Sequence, residues 1–205
     1  VFRRLRVEPW VNRPRYPREL LPWEEGSTQV DLHLSWENPP TTVYLEAKYG
    51  SGLTRKTARD DGSHGFPSDQ LVRNARVGLL EAGYFGGHGL FPAVPRDFVL
   101  VLLSPFGGHP LAARYRDPER LREAIPHGDR LVGLPRSPFV GELTYEELLR
   151  VLERQLRWWT RPERVLAESL AAYLELKLAQ APSPGLPGAT RSSPSQKLPA
   201  GNDGI

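Results

Sequence analysis

The sequence predicts an α/β fold, a central mixed β-sheet flanked by helices, on three observations. Two short alternating segments face each other across a turn, a continuous apolar run of strand length follows, and several helical stretches open on capping signals.

The first alternating segment sets Val30, Leu32, Leu34 and Trp36 against Asp31, His33 and Ser35, the period of a strand with one buried face. The second runs from Thr42 to Tyr49, with Val43, Leu45, Ala47 and Tyr49 alternating with Tyr44, Glu46 and Lys48. Between them Glu37-Asn38-Pro39-Pro40-Thr41 has turn chemistry, so the pair reads as a hairpin. Ser68 is the expected cap of a helix beginning at Asp69, with Leu71, Val72, Ala75, Leu79 and Ala82 on one face and Gly83 after its end. Phe98 to Leu103 is an unbroken apolar run, expected inside the sheet with both faces covered. Asp117-Pro118-Glu119 opens a short helix. Thr144 with Glu147 forms a capping box ahead of Leu148, Leu149, Leu152, Leu156 and Trp159; Thr160 with Glu163 repeats it for a last helix ending near Gln180. Trp158 and Trp159 are read as core, because aromatic side chains bury large apolar areas.

A chain of 205 residues has room for one core, assigned to residues 1–180. Residues 181–205 are rich in Pro, Gly and Ser with little to bury, and read as a disordered tail. No apolar run approaches the roughly 18 residues of a membrane span, and no secretory signal is readable, so no membrane association and a cytoplasmic location are expected. With no cysteine, disulfides, thiolate nucleophiles and cysteine-based zinc sites are excluded. The five histidines fall at 33, 64, 88, 109 and 127, without the spacing of a helical zinc pair. The absence of methionine fits a start upstream of Val1 or a valine recorded at a non-ATG start. Net charge is only +3, compatible with a nucleic-acid partner without requiring one. The glycine pairs Gly86-Gly87 and Gly107-Gly108 lack the lysine and spacing of a phosphate loop.

Chemistry concentrates on the hairpin. Glu46 and Lys48, two apart on a strand, point to one face, whereas Glu175 and Lys177, two apart on a helix, diverge. With the turn centred between Pro39 and Pro40, Asp31 stands opposite Lys48 and His33 opposite Glu46, all on the face turned away from Leu45 and Ala47, which point to the core. Asp31 and Glu46 then form a hard-oxygen site for Mg²⁺, with Mn²⁺ as a substitute, and Lys48 lies beside it. Such a trio suits phosphodiester hydrolysis. The same residues also fit a solvated sheet face with an Asp31–Lys48 ion pair.

The arrangement of Asp31, then Glu46-Ala47-Lys48 on the next strand, resembles the PD-(D/E)XK (restriction-endonuclease-like) nuclease superfamily. The likeness extends to Ser68-Asp69-Gln70-Leu71-Val72-Arg73-Asn74-Ala75, similar to a glutamine-bearing helix in many branches, and to the buried strand that follows. It covers Thr28 to Leu103. The resemblance implies a restriction-endonuclease-like core, Asp31 and Glu46 as metal ligands, Lys48 as the catalytic lysine and Gln70 as an accessory residue. It further implies a magnesium-dependent nuclease acting on DNA, with RNA as the other candidate substrate. Two departures stand out: Val30 replaces the proline that often precedes the aspartate, and no opening helix is readable. Upstream acids are limited to Glu8, Glu19, Glu24 and Glu25, none assignable to the site. Arg55 and Lys56 in the glycine-bounded loop, and Arg73 on the helix, are the expected phosphate contacts, a solvated loop being the other reading of the first two. The competing functional readings are an inactive member of the fold that binds nucleic acid or protein, and an unrelated α/β scaffold.

Overall fold

The computed structural model describes residues 2–13, 20–21, 23, 25–49, 65–86, 94–136 and 139–181. In chain order the elements are β1 (Arg6–Arg13), β2 (Thr28–Glu37), β3 (Pro40–Ala47), α1 (Gln70–Glu81), β4 (Asp97–Ser104), α2 (Pro110–Arg116), α3 (Pro118–Ala124), β5 (Val140–Thr144), α4 (Tyr145–Gln155) and α5 (Arg161–Gln180). One five-stranded sheet has the order β1-β2-β3-β4-β5. β1, β2 and β3 pair antiparallel, and β3, β4 and β5 pair parallel. The change of direction follows from the connections, since a two-residue turn can reverse a strand whereas parallel neighbours need a crossover. Here α1 supplies the crossover from β3 to β4, and α2 with α3 the next one.

The hairpin forms with a register two residues away from the expected one. Glu37 pairs with Pro40, His33 with Tyr44 and Leu32 with Leu45, so the turn is centred between Asn38 and Pro39. Pro40 is the first residue of β3, a place where a missing N–H is tolerated, and the preceding proline is left to the turn. Asp31 is therefore not opposite Lys48, nor His33 opposite Glu46. A slip of two keeps the side-chain parity of β3, because faces repeat every second residue.

The assignment of faces is also corrected. α1 lies over the side of β3 that carries Tyr44 and Glu46, both buried, while Leu45 is half-buried and Ala47 exposed. Both alternating sets of β3 contain apolar residues, so alternation alone could not tell which one a helix would cover. On the covered side Tyr44 meets Phe98 edge-on, with ring centroids 5.3 Å apart, and Leu100 and Leu102 continue the same face of β4. Leu71, Val72, Ala75 and Leu79 of α1 pack there, and α2 and α3 add Ala112, Tyr115, Leu121 and Ala124. The helix comes very close to the sheet: a Cβ at Gly78 would lie 2.1 Å from the Phe98 ring. The opposite face of β4 presents Leu103 to a second cluster, built from Tyr145, Leu148, Leu149 and Leu152 of α4 and Ala171, Leu174 and Leu178 of α5. β4 is thus interior to the sheet as expected, fully buried on one face and half-buried on the other.

Both capping boxes form. For α1 the cap is Asp69 rather than Ser68, with Oδ1 accepting from the N–H groups of Leu71 and Val72 at 3.0 Å each. Trp159 packs in the second cluster, but Trp158 is 71% exposed, so its reading as core is overturned. It follows α4 in a short 3₁₀ turn, Leu156–Trp158, which rotates it off the buried stripe. β1 and β5 were not anticipated. β1 contains Pro9 and a left-handed Trp10, which break the alternation a strand normally shows. Residues 182–205 and 50–64, which include the tail and the basic loop, lie outside the described residues. Among the described residues no helix is long and apolar enough to cross a membrane.

Candidate active site

The carboxyl ends of β3, β4 and β5 point the same way, and the chain leaving β3 must reach the start of α1 at that end of the sheet. This edge is where open α/β sheets bind their ligands. Glu46 is the penultimate residue of β3, and the N–H of Lys48 donates to the carbonyl of Leu103 at 2.8 Å, carrying the β3–β4 pairing just past the strand's end. Both charged side chains of the motif are thereby seated on the sheet rather than on the following loop.

Glu46 is 1% exposed, with a partner at each oxygen. Its Oε1 lies 2.8 Å from Nζ of Lys48, and its Oε2 accepts from Nδ2 of Asn74 at 3.0 Å. Asn74 Oδ1 in turn accepts from the Thr28 hydroxyl at 2.8 Å. Asp31 is held from the other side of the hairpin: pairing of β2 with β3 ends at Leu32 and Leu45, and beyond it the Asp31 Oδ2 accepts from the N–H of Ala47 at 2.8 Å. A carboxylate has about four acceptor positions, so this bond leaves Asp31 capacity for a further partner. Burial raises the Glu46 pKa above the ordinary carboxylate value. Lys48 opposes that shift through its hydrogen bond and charge, the nearby Asp31 charge adds to it, and the Asn74 bond opposes it. A cation between the two carboxylates would relieve both the burial penalty and the mutual repulsion.

The donor set suits a hard, oxygen-seeking ion. Among the described residues no group of three or more His, Cys, Asp or Glu side chains gathers, which leaves two carboxylates. Mg²⁺ is commonly held by one or two carboxylates while keeping waters that a phosphate can displace. Asp31 and Glu46 fit that demand, whereas a zinc site would want more nitrogen or sulfur ligands.

The remaining expected residues are placed as follows. Gln70 is the first residue of α1, one turn before Asn74 on the same side of the helix, and its Oε1 is buried without a hydrogen-bond partner. The helix side chain that reaches Glu46 is Asn74. Neither Asn74 nor Thr28 was singled out in the sequence, although the four-residue spacing from Gln70 to Asn74 was available as a signal. Arg73 does not present itself to a nucleic acid: it is buried, with Nε 2.5 Å from Oε1 of Glu25, and Arg76 pairs with the other oxygen of the same carboxylate. Glu25 and the buried Leu20 and Leu21 lie over this side of α1, with Trp23 stacked near the Arg76 guanidinium, and an arginine on a covered helix face has to find an internal anion. Arg55 and Lys56 lie outside the described residues.

His33 belongs to a separate polar cluster. Its Nδ1 is 2.8 Å from Oε2 of Glu8 and 2.6 Å from the Arg13 guanidinium, two partners that require opposite protonation of that nitrogen. Burial is the main cause that lowers its pKa. The ring stands edge-on to Tyr44, whose hydroxyl donates to Glu81. Glu8 and Glu25 are thus committed elsewhere, and Glu19 and Glu24 lie outside the described residues.

No protein-family model, no curated protein and no solved structure matches this chain.

Proposed function

We propose that this chain is a metal-dependent phosphodiesterase of the restriction-endonuclease-like kind, acting on DNA. The observation that carries the reading is the buried Glu46 carboxylate, paired with Lys48 and placed beside Asp31 at the carboxyl edge of the sheet. A hairpin followed by a helix and a parallel central strand, with the acidic pair on the hairpin, is the order that the resemblance leads one to expect. The sequence pI near 9.3 is compatible with a polyanionic substrate.

Asp31 and Glu46 would hold the cation. When bound, Mg²⁺ supplies charge that polarises a phosphate oxygen and acidifies an attacking water. The chain's own residues do the rest. Asp31 is fixed by the Ala47 N–H and Glu46 by Asn74, so neither carboxylate has to reorganise to present an oxygen. Lys48 is held on Oε1 of Glu46; with the carboxylates holding a cation, its three N–H donors would be available to a water or to the phosphate's developing charge. Its β3–β4 backbone bond keeps the side chain's origin in place while the ammonium moves.

The test is cleavage of supercoiled plasmid and linear duplex DNA by purified protein with Mg²⁺ or Mn²⁺, beside Glu46→Gln and a chelator control. Metal-dependent cleavage absent from Glu46→Gln is the expected result. Activity that persists in excess chelator, or equally in Glu46→Gln, overturns the reading.

A further inference from the structure

Asn74 stands in the second turn of α1 with none of its surface exposed, on a helix whose neighbouring Leu71 and Ala75 belong to the core. An amide in such a place destabilises the fold unless its donor and its acceptor both find partners. Its hydrogen bonds are therefore informative. Thr28, the first residue of β2 and itself buried, donates its hydroxyl proton to Oδ1. That leaves Nδ2 as the atom facing Glu46, to whose Oε2 it donates at 3.0 Å. The opposite amide orientation would set Oδ1 against a carboxylate oxygen, acceptor against acceptor. The carboxylate, which can only accept, thus selects the amide orientation; the Thr28 hydroxyl, donating to Oδ1, holds the amide there, and the amide in turn fixes the plane of the carboxylate.

The two oxygens of Glu46 are consequently not equivalent: Oε2 is tied to helix α1 and Oε1 faces Lys48. We propose that Asn74, held in place by Thr28, is a positioning residue that fixes the Glu46 carboxylate so that Oε1 is the oxygen shared between Lys48 and a divalent cation. This rests on the metal-site reading above. The three residues come from β2, α1 and β3, so the device also ties the hairpin's active edge to the helix that covers it. Removing the Thr28 hydroxyl leaves Oδ1 without its donor and loosens the amide, and removing the amide frees the carboxylate to rotate; either change blurs which oxygen is offered.

The test uses the full chain with Mn²⁺ as the probe, measured by calorimetry, together with steady-state DNA cleavage and thermal melting. Substituting such outer partners of a ligand lowers metal affinity by roughly 10–100-fold. Asn74→Leu, close in volume, should show that loss of affinity and a fall in kcat with KM for DNA nearly constant. Asn74→Leu also leaves a carboxylate oxygen unpaired and can fail to fold, so Thr28→Val, which keeps the side-chain shape, is the second arm. It should weaken Mn²⁺ binding by about 3–10-fold, at or below the lower end of that range, and Thr28→Ser should recover most of what Thr28→Val loses. The side-chain NH₂ resonance of Asn74 should move in Thr28→Val and in Glu46→Gln and return in Thr28→Ser. Wild-type Mn²⁺ affinity in Asn74→Leu and Thr28→Val, alongside its loss in Glu46→Gln, overturns the positioning role and leaves the metal site standing. Undiminished Mn²⁺ binding by Glu46→Gln overturns the metal-site reading itself, and the positioning role with it.

Discussion

Nζ of Lys48 lies 2.8 Å from Oε1 of Glu46, a carboxylate that is 1% exposed, while the lysine itself retains 17% of its side-chain surface. The pair is a buried ion pair, and its members are unequal: the acid is locked in and the base can leave.

Lys48→Ala should therefore affect stability as well as chemistry. It strips a buried carboxylate of its counter-charge, a loss of order 3 kcal/mol, reduced because Lys48 is partly solvated. Mn²⁺ should restore that charge, so the variant's melting temperature should rise more with Mn²⁺ than that of the wild type, while cleavage falls by orders of magnitude. Equal metal-induced shifts in differential scanning fluorimetry would show that the cation does not share the oxygen Lys48 uses.

Asp31→Asn and Glu46→Gln should both lose Mg²⁺ and Mn²⁺ binding together with cleavage, since each removes one of the two carboxylates that the described residues bring to the site. They should differ in the fold. Asp31→Asn keeps an oxygen for the Ala47 N–H and should melt close to the wild type. Glu46→Gln leaves Lys48 beside a neutral amide and should melt lower. Calorimetry and melting on the same samples check both halves.

Gly78→Ala gains helix propensity of up to about 1 kcal/mol. The new methyl would nevertheless meet Cζ of Phe98 at 2.1 Å, and forcing a methyl into a packed core costs about 1–3 kcal/mol. Net destabilisation in urea unfolding is expected, and Phe98→Leu in the Gly78→Ala background should recover part of it. Additive losses in the double variant would mean that the two residues do not press on each other.

The two capping boxes make a prediction in pH. The pKa of Glu147 is lowered by the Thr144 backbone N–H and then its hydroxyl, and that of Glu163 by the Thr160 hydroxyl and then its N–H. A folded pKa below the unfolded one contributes stability that is present above the ordinary glutamate range and lost as pH falls through the lowered value. α4 and α5 should accordingly loosen as pH falls below the ordinary glutamate range, and Glu147→Gln should flatten that dependence. Both carboxylates are fully exposed, so the effect should be small and should shrink in high salt. Circular dichroism across pH would show it; an unchanged acid limb in Glu147→Gln would exclude the cap as its source.

Much of the fold is written in local patterns. The period of two in residues 30–36 and 42–49 identifies two strands of a hairpin, the apolar run at Phe98 identifies the interior strand, and Thr144 with Glu147 and Thr160 with Glu163 mark where α4 and α5 begin. These features follow from the chain's own backbone geometry, in which strand alternation and the unpaired N–H groups of a helix start act over a few residues. That Glu46 and Lys48 start from one face of β3 belongs to the same category.

Tertiary structure decided the rest. Whether the turn centres on Asn38-Pro39 or one residue later depends on which pairing the whole sheet accepts, and it moved Asp31 away from Lys48 to the N–H of Ala47. The face of β3 that is buried depends on where α1 lands, which turned Glu46 inward although Leu45 is the more apolar neighbour. Asn74 rather than Gln70 reaches Glu46 because helix and strand meet one turn further along α1, and Arg73 is buried because it pairs with the buried Glu25 carboxylate. Each of these outcomes joins residues far apart in the chain, such as 28, 46 and 74. No local period encodes such contacts; they are settled when the sheet, its covering helix and the buried charges reach one arrangement that leaves the fewest polar groups unpaired.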